Sequence, residues 1–120
     1  MKTLPKIASV IFCLCSVTLV LHADAIPVLE GALDLAAANV PGGGRTNQAH
    51  FGSRVALAGS ISAARSLIFF DPQTSGGLLM TVAPEAAAGL VAGLAASGEN
   101  AHVIGRVEAP DPAGTLVRFV

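Results

Sequence analysis

The sequence predicts a single α+β domain in which helices pack on a mixed β-sheet. Segments with the hydrophobic spacing of helices alternate along the chain with short apolar segments that are typical of strands. The chain has 120 residues, enough for one domain, and 52% of them are hydrophobic, so a folded core is expected rather than disorder. The chain has five phenylalanines and neither tryptophan nor tyrosine, which predicts a mainly aliphatic core.

The first 16 residues differ in composition from the rest and are interpreted as an apolar leader. A basic start, an uncharged apolar run over residues 7–21 and the sequence Ala23-Asp24-Ala25 are together typical of a secretory signal peptide that is cleaved after Ala25. The alternative is that residues 17–21 form the first strand of a domain that spans residues 17–120. These two interpretations exclude each other over residues 17–21.

The first half of the predicted domain holds two helices and a short strand. Residues 26–39 are predicted as a helix that begins at Pro27 and ends at the glycine-rich sequence of residues 41–44. Residues 45–52 are then a polar loop or a short helical turn, and residues 55–57 are an edge strand. Residues 60–70 are predicted as a helix that is capped by Ser60 or Ser62.

The second half predicts three strands around one helix. Residues 78–83 (LLMTVA) are expected to form a buried strand, followed by a helix that begins at Pro84 and ends at Gly98. Residues 101–107 and 115–120 have the apolar, β-branched composition of strands, and a proline- and glycine-containing turn separates them.

Charge and composition exclude several functions. A net charge of −1 argues against nucleic-acid binding by phosphate neutralisation. Cys13 and Cys15 are the only cysteines, so a zinc site with paired cysteines is not expected, and the three histidines match no metal spacing. The Gly-Gly-Gly-Arg sequence at residues 42–45 is either an anion cradle or a flexible linker, and it lacks the lysine of a phosphate-binding P-loop.

The segment DPQTSGGLL, at residues 71–79, combines polar side chains with a glycine pair and is the main candidate for a binding site. Pro72 favours an extended or turn conformation at Asp71, and the glycine pair allows close approach of the backbone to another group. A turn of this kind before a strand can present successive N–H groups to an anion, or can be purely structural. Both interpretations remain open from the residues alone.

The same nine residues resemble the C-terminal region of the selenophosphate synthetase (selenide, water dikinase) family. The flanking sequences AIPVLEGALDLAAAN and HVIGRV, and the turn with Arg45, Asn47 and His50, are similar to the elements around that motif in the family. The resemblance implies the three-layer α/β/α fold with a mixed sheet of the AIR-synthase-related C-terminal domain, incomplete here at its N-terminal end.

The resemblance also implies an activity and the domain in which the catalytic residues lie. The family makes selenophosphate from selenide and ATP, for selenocysteine and selenouridine synthesis, in the cytoplasm. Its catalytic and metal-binding residues, with ATP and Mg²⁺, belong mainly to an N-terminal domain and the homodimer interface there. This chain is therefore expected to be a fragment that needs the N-terminal catalytic domain, that is not catalytic alone, and that binds neither ATP nor Mg²⁺ tightly.

Two sets of residues match the family's motifs, and the resemblance implies supporting positions at the cleft between the domains. No catalytic residue and no metal ligand is assigned. The matching residues are Asp71, Gln73, Thr74, Ser75, Gly76 and Gly77 in the motif and Arg45 and Asn47 in the preceding turn.

Two other functions remain open. The chain is alternatively a free-standing, non-catalytic binding module, or a small exported protein that meets a membrane only through its leader. A fragment that lacks its partner is expected to expose an apolar patch and a sheet edge, which separates it from a self-sufficient module.

Overall fold

The computed structural model describes residues 17–38, 42–73 and 76–120. Within these residues the chain forms a mixed sheet of four strands in the order β2-β4-β1-β3. Strand β1 pairs antiparallel with β3 and parallel with β4, and β4 pairs parallel with β2. The predicted α+β fold with a mixed sheet is confirmed. The strands are β1 (Thr18–Leu21), β2 (Val55–Leu57), β3 (Gly105–Glu108) and β4 (Val117–Phe119).

Strand β1 lies inside the sheet and is its most buried element. All four of its residues are buried, and Val20 retains only 1% of its exposure. The Thr18 hydroxyl donates to the carbonyl oxygen of Thr115 at 3.0 Å and accepts from the Asp111 N–H at 2.9 Å, so this buried polar group is satisfied. The strand predicted over residues 17–21 is confirmed, and so is the edge position of β2.

The two faces of the sheet differ in character. On one face, Leu19, Leu21 and Phe119 form the buried hydrophobic cluster. The Phe69 ring stacks on the Phe119 ring with centroids 4.0 Å apart, which fixes a helix against this face. On the other face, the register places Val20 between Arg106 of β3 and Arg118 of β4. Phe69, together with Ile26, Ile61 and Ile104, therefore covers the buried cluster on the first face.

The described residues include four α-helices and two short 3-10 turns. Helix α3 begins after Ser62, whose hydroxyl accepts the Arg65 N–H at 3.2 Å, so Ser62 is the cap of the two predicted. Helix α4 begins at Pro84 as predicted, and Gly98 follows its end with φ +82°. The helices are α1 (Ala32–Ala38), α2 (Gly42–Phe51), α3 (Ala63–Phe69) and α4 (Pro84–Ala96), and the 3-10 turns are Ala23–Ala25 and Gly52–Arg54.

Two predictions for the first half were only partly right. The helix predicted from Pro27 begins only at Ala32, because Gly31 adopts φ +76°, outside the helical region. The glycines expected to end that helix instead begin α2, and residues 45–51 are helical, which agrees with the helical alternative for residues 45–52 rather than with the loop. Small residues are needed there, since a Cβ atom on Gly43 would lie 2.7 Å from Pro72 Cγ.

The strand predictions of the second half were only partly right. Residues 78–83 form no strand and are exposed, with Leu78 at 89% exposure. A strand requires a hydrogen-bonded neighbour, and among the described residues the sheet of β1 to β4 does not include this segment. Strand β3 begins at Gly105 rather than at residue 101, and β4 is shorter than predicted at both ends.

A charged cluster stabilises the turn between β3 and β4. Arg118 Nη2 lies 3.1 Å from Asp111 Oδ2, and the N–H of Ala113 donates to Asp111 Oδ1 at 2.9 Å. Glu108 lies between Arg118 and Arg106. The Ala113 N–H, followed by the Thr115 hydroxyl and the charge of Arg118, lowers the pKa of Asp111 below its ordinary value.

We expect Asp111 to titrate below an unstructured aspartate, whose pKa is about 4. The pKa of Asp111 is lower in the folded chain than in the unfolded chain. The contribution of Asp111 to the free energy of unfolding is therefore complete above the unfolded-state pKa, and it is lost as the pH falls through the folded-state pKa. Carboxyl-carbon NMR shifts during an acid titration measure this pKa directly. Arg118→Gln should raise the pKa only in part, because the Ala113 N–H is the larger cause. An Asp111 pKa at or above that of the unfolded chain would contradict the assignment.

Candidate functional site

The candidate site begins where helix α3 ends. Phe70 is buried and closes the helix with its N–H on the carbonyl oxygen of Leu67 at 3.2 Å. The Asp71 N–H donates to the Ile68 carbonyl at 3.1 Å, and the Gln73 N–H donates to the Asp71 carbonyl at 2.9 Å. Pro72 has no N–H and cannot continue the helix, and the chain is exposed from Asp71 to Gln73.

Helix α2 is held against this turn. The side-chain amide of Asn47 donates to the carbonyl oxygen of Phe70 at 3.0 Å, across 23 positions of sequence. At the start of α2, Gly43 lies so close to Pro72 that only a glycine fits there without displacement. The structure therefore brings the first part of the DPQTSGG motif next to the Asn47 segment that precedes it in the chain.

The other predicted site residues have different positions. Gln73, Gly76 and Gly77 are exposed on the segment that leads away from the turn. Gln73 and Gly76 lie close together, since a Cβ atom on Gly76 would be 2.8 Å from Gln73 Oε1. Arg45 is exposed on α2. Thr74 and Ser75 lie outside the described residues.

A cleft of about 280 Å³ opens between α2, the turn and the sheet. Four of the chain's five phenylalanines line it, including the stacked pair of Phe69 and Phe119. Asp71 is the one charged residue among the described residues that line it. The lining residues are Asn47, Phe51, Val55, Phe69, Phe70, Asp71, Val117 and Phe119.

Phe51 forms the most exposed part of the aromatic wall. It ends α2, retains 54% of its exposure, and meets the His50 ring edge-to-face with centroids 4.6 Å apart. The aromatic wall was not foreseen from the sequence. Phe51, the Phe69-Phe70 pair and Phe119 are far apart in the chain and share no spacing, so only the packing of α2 and α3 on the sheet reveals their common surface.

A second, larger cleft of about 500 Å³ lies beside Arg65. One guanidinium nitrogen of Arg65, Nη1, donates to the Ala23 carbonyl oxygen at 2.7 Å, and Nη2 lies 3.7 Å from Asp24 Oδ1. Arg65 thus ties α3 to the 3-10 turn that follows β1. Because its guanidinium is engaged in this way, we interpret the contact as structural.

Neither a metal-binding cluster nor a membrane-spanning helix occurs among the described residues. No three His, Cys, Asp or Glu side chains gather to hold a metal ion in this part of the chain, so no Mg²⁺ ligand is derived from it. Within residues 17–38, 42–73 and 76–120, no helix is long and apolar enough to cross a membrane. What the site offers is an aromatic cleft, one carboxylate and one amide.

Comparison with known proteins gives consistent matches. The family model described as AIR synthase related protein, C-terminal domain, matches residues 13–117. A selenide, water dikinase of Nitratidesulfovibrio vulgaris is 38% identical over 99 residues, which are 82% of this chain and 28% of that protein. Those of Trichlorobacter lovleyi and Clostridioides difficile are 45% and 36% identical, over 60% and 76% of this chain and 21% and 27% of theirs. The chain thus spans about a quarter of the length of these curated relatives.

Proposed function

We propose the following function because this chain belongs to the family of AIR synthase related protein C-terminal domains. It supplies the C-terminal part of a selenophosphate synthetase, the enzyme that makes selenophosphate from selenide and ATP. It acts with the remaining part of that enzyme and has no dikinase activity by itself.

The observation that carries this proposal is how much of each protein the match covers. The match with the Nitratidesulfovibrio vulgaris relative covers 82% of this chain but only 28% of the relative. The matched region includes the DPQTSGG turn and α2, which the structure joins through Asn47 and Phe70. In this proposal the remaining part of the enzyme provides the nucleophile and binds ATP and Mg²⁺.

Exposed apolar surface supports the need for a partner. Leu78, Leu79, Met80 and Val82 retain between 45% and 89% of their exposure, in a segment without a charged residue. Helix α4 follows directly and has no buried residue. A self-sufficient module would be expected to cover such a surface, whereas a domain fragment leaves it open to the rest of its protein.

We also propose that the chain works in the cytoplasm and keeps its first strand. Cleavage after Ala25 would remove β1, which pairs with both β3 and β4. It would also remove Ala23, whose carbonyl oxygen accepts the Arg65 guanidinium. These losses argue against the exported form, in which the domain would have to fold without an inner strand of its sheet.

The test is a domain exchange in the Nitratidesulfovibrio vulgaris relative. Its matched 99-residue region is replaced by the aligned region of this chain, and ATP consumption that requires selenide is measured. We expect activity from the exchanged enzyme, and none from this chain alone or from the relative without the region. A soluble, folded exchange protein with no selenide-dependent ATP consumption would contradict the proposal.

A further inference from the structure

The aromatic cleft beside Asp71 carries an inference about the partner. We propose that this cleft receives an arginine side chain from the remaining part of the enzyme. The proposal rests on the proposed function for the source of that arginine, but its chemistry comes from the cleft itself. The guanidinium would pair with the Asp71 carboxylate and lie against the phenylalanine wall.

Charge is the first argument. Asp71 is exposed, and no ion pair or hydrogen bond of its carboxylate occurs within the described residues. Arg65, Arg106 and Arg118, by contrast, are each paired with a carboxylate elsewhere in the fold. The cleft therefore offers a negative group whose complement is not supplied by the described part of this chain.

The aromatic lining is the second argument. Guanidinium groups stack favourably on aromatic faces, and their planar N–H groups match a carboxylate in a bidentate arrangement. Phe51, which retains 54% of its exposure, is the accessible ring of this kind, and it lines the same cleft of about 280 Å³ as Asp71. Lysine would gain the charge interaction but not the planar stacking, so arginine is the better fit.

The amide of Asn47 is the third argument. Its nitrogen is used by the Phe70 carbonyl, which fixes the orientation of the side chain. Within the described residues its side-chain oxygen accepts no hydrogen bond, and an acceptor suits a guanidinium, which has five N–H donors and accepts nothing. A carboxylate and an amide oxygen on one aromatic cleft thus match the donor pattern of arginine.

The experiment uses the full chain and small probes. Backbone amide NMR shifts are followed during titration with N-acetyl-arginine amide, with the neutral isostere N-acetyl-citrulline amide, and with adenosine. We expect saturable shifts at Asn47, Phe51 and Asp71 for arginine, in the millimolar range that suits a single side chain. Citrulline should bind about five- to tenfold more weakly.

Matched variants assign the binding to the carboxylate. Asp71→Asn should weaken arginine binding about five- to tenfold, whereas Glu99→Gln, which removes an exposed carboxylate after α4, should leave it unchanged. Absent arginine shifts, equal binding of citrulline, unchanged binding by Asp71→Asn, or tighter binding of adenosine would each overturn the proposal. An active domain exchange with a negative result here would remove the arginine assignment and leave the proposed function standing.

Discussion

Removal of residues 1–25 is expected to abolish cooperative unfolding of this chain. The deletion takes away β1, and with it the register that joins β3 to β4. Leu19, Val20 and Leu21 are all buried, and each such side chain contributes about 1.5–3 kcal/mol. Their sum is comparable to the whole stability of a small domain, which is about 5–15 kcal/mol.

Thermal unfolding followed by circular dichroism, with the full chain as the control, measures this effect. The deleted protein should show no sigmoidal transition and should lose its protection from proteolysis. A residue 26–120 protein that unfolds cooperatively, near the transition temperature of the full chain, would contradict the central role of β1. It would also restore export with cleavage after Ala25 as the better explanation of the first residues.

Gly105→Ala is expected to be the most damaging single methyl addition in the described part of the fold. A Cβ atom at Gly105 would collide with the carbonyl oxygen of Val20 and lie 2.9 Å from the Cα of Leu21. Both atoms belong to the backbone of β1 and cannot turn aside as a side chain does. We expect a loss of about 3 kcal/mol or more, because overpacking against a strand must separate β1 from β3.

Gly59→Ala is the matched control, since a Cβ atom there meets nothing within 4 Å. Urea unfolding of both variants and the parent chain gives the two free-energy differences. The Gly59 variant should stay within about 0.5 kcal/mol of the parent. Equal stability of the Gly105 variant and the parent would show that β1 and β3 are not paired in the register described.

The sequence predicted the elements whose stability is local or whose burial is complete. The apolar, β-branched composition of residues 17–21 indicated β1 as one of two interpretations, and Ser62, Pro84 and Gly98 marked helix ends through their own side chains or backbone freedom. These signals depend on the residue itself and on its immediate neighbours. They therefore survive without knowledge of the rest of the fold.

The wrong predictions depended on distant partners. The glycines of residues 42–44 resemble a loop, but they begin α2, where Gly43 packs against Pro72 and Gly44 lies near the Phe70 carbonyl. Residues 78–83 have the composition of a buried strand, yet they are exposed and lie outside the sheet. If the proposed function is right, their apolar character reflects a neighbour in the rest of the enzyme, which this chain's own fold does not supply.

The sequence named Asp71 and Asn47 as candidate site residues, but it did not indicate the aromatic rings that line the same cleft. The motif identified Asp71 and its neighbours, and the resemblance pointed to Asn47, which contacts the same turn. The aromatic cleft was not foreseen, because Phe51, Phe69 and Phe119 share no sequence pattern. Three-dimensional packing alone brings these rings beside the carboxylate and gives the site its character.

Hydrogen exchange of residues 78–83 tests the central claim most directly, namely that this chain is one part of a larger enzyme that covers its open surface. The amides of this segment should exchange rapidly in the isolated chain, since they form no strand. In the active domain-exchanged enzyme, the same amides should become strongly protected. Equally rapid exchange in both proteins would show that the remaining part of the enzyme does not cover this surface, and would contradict the account.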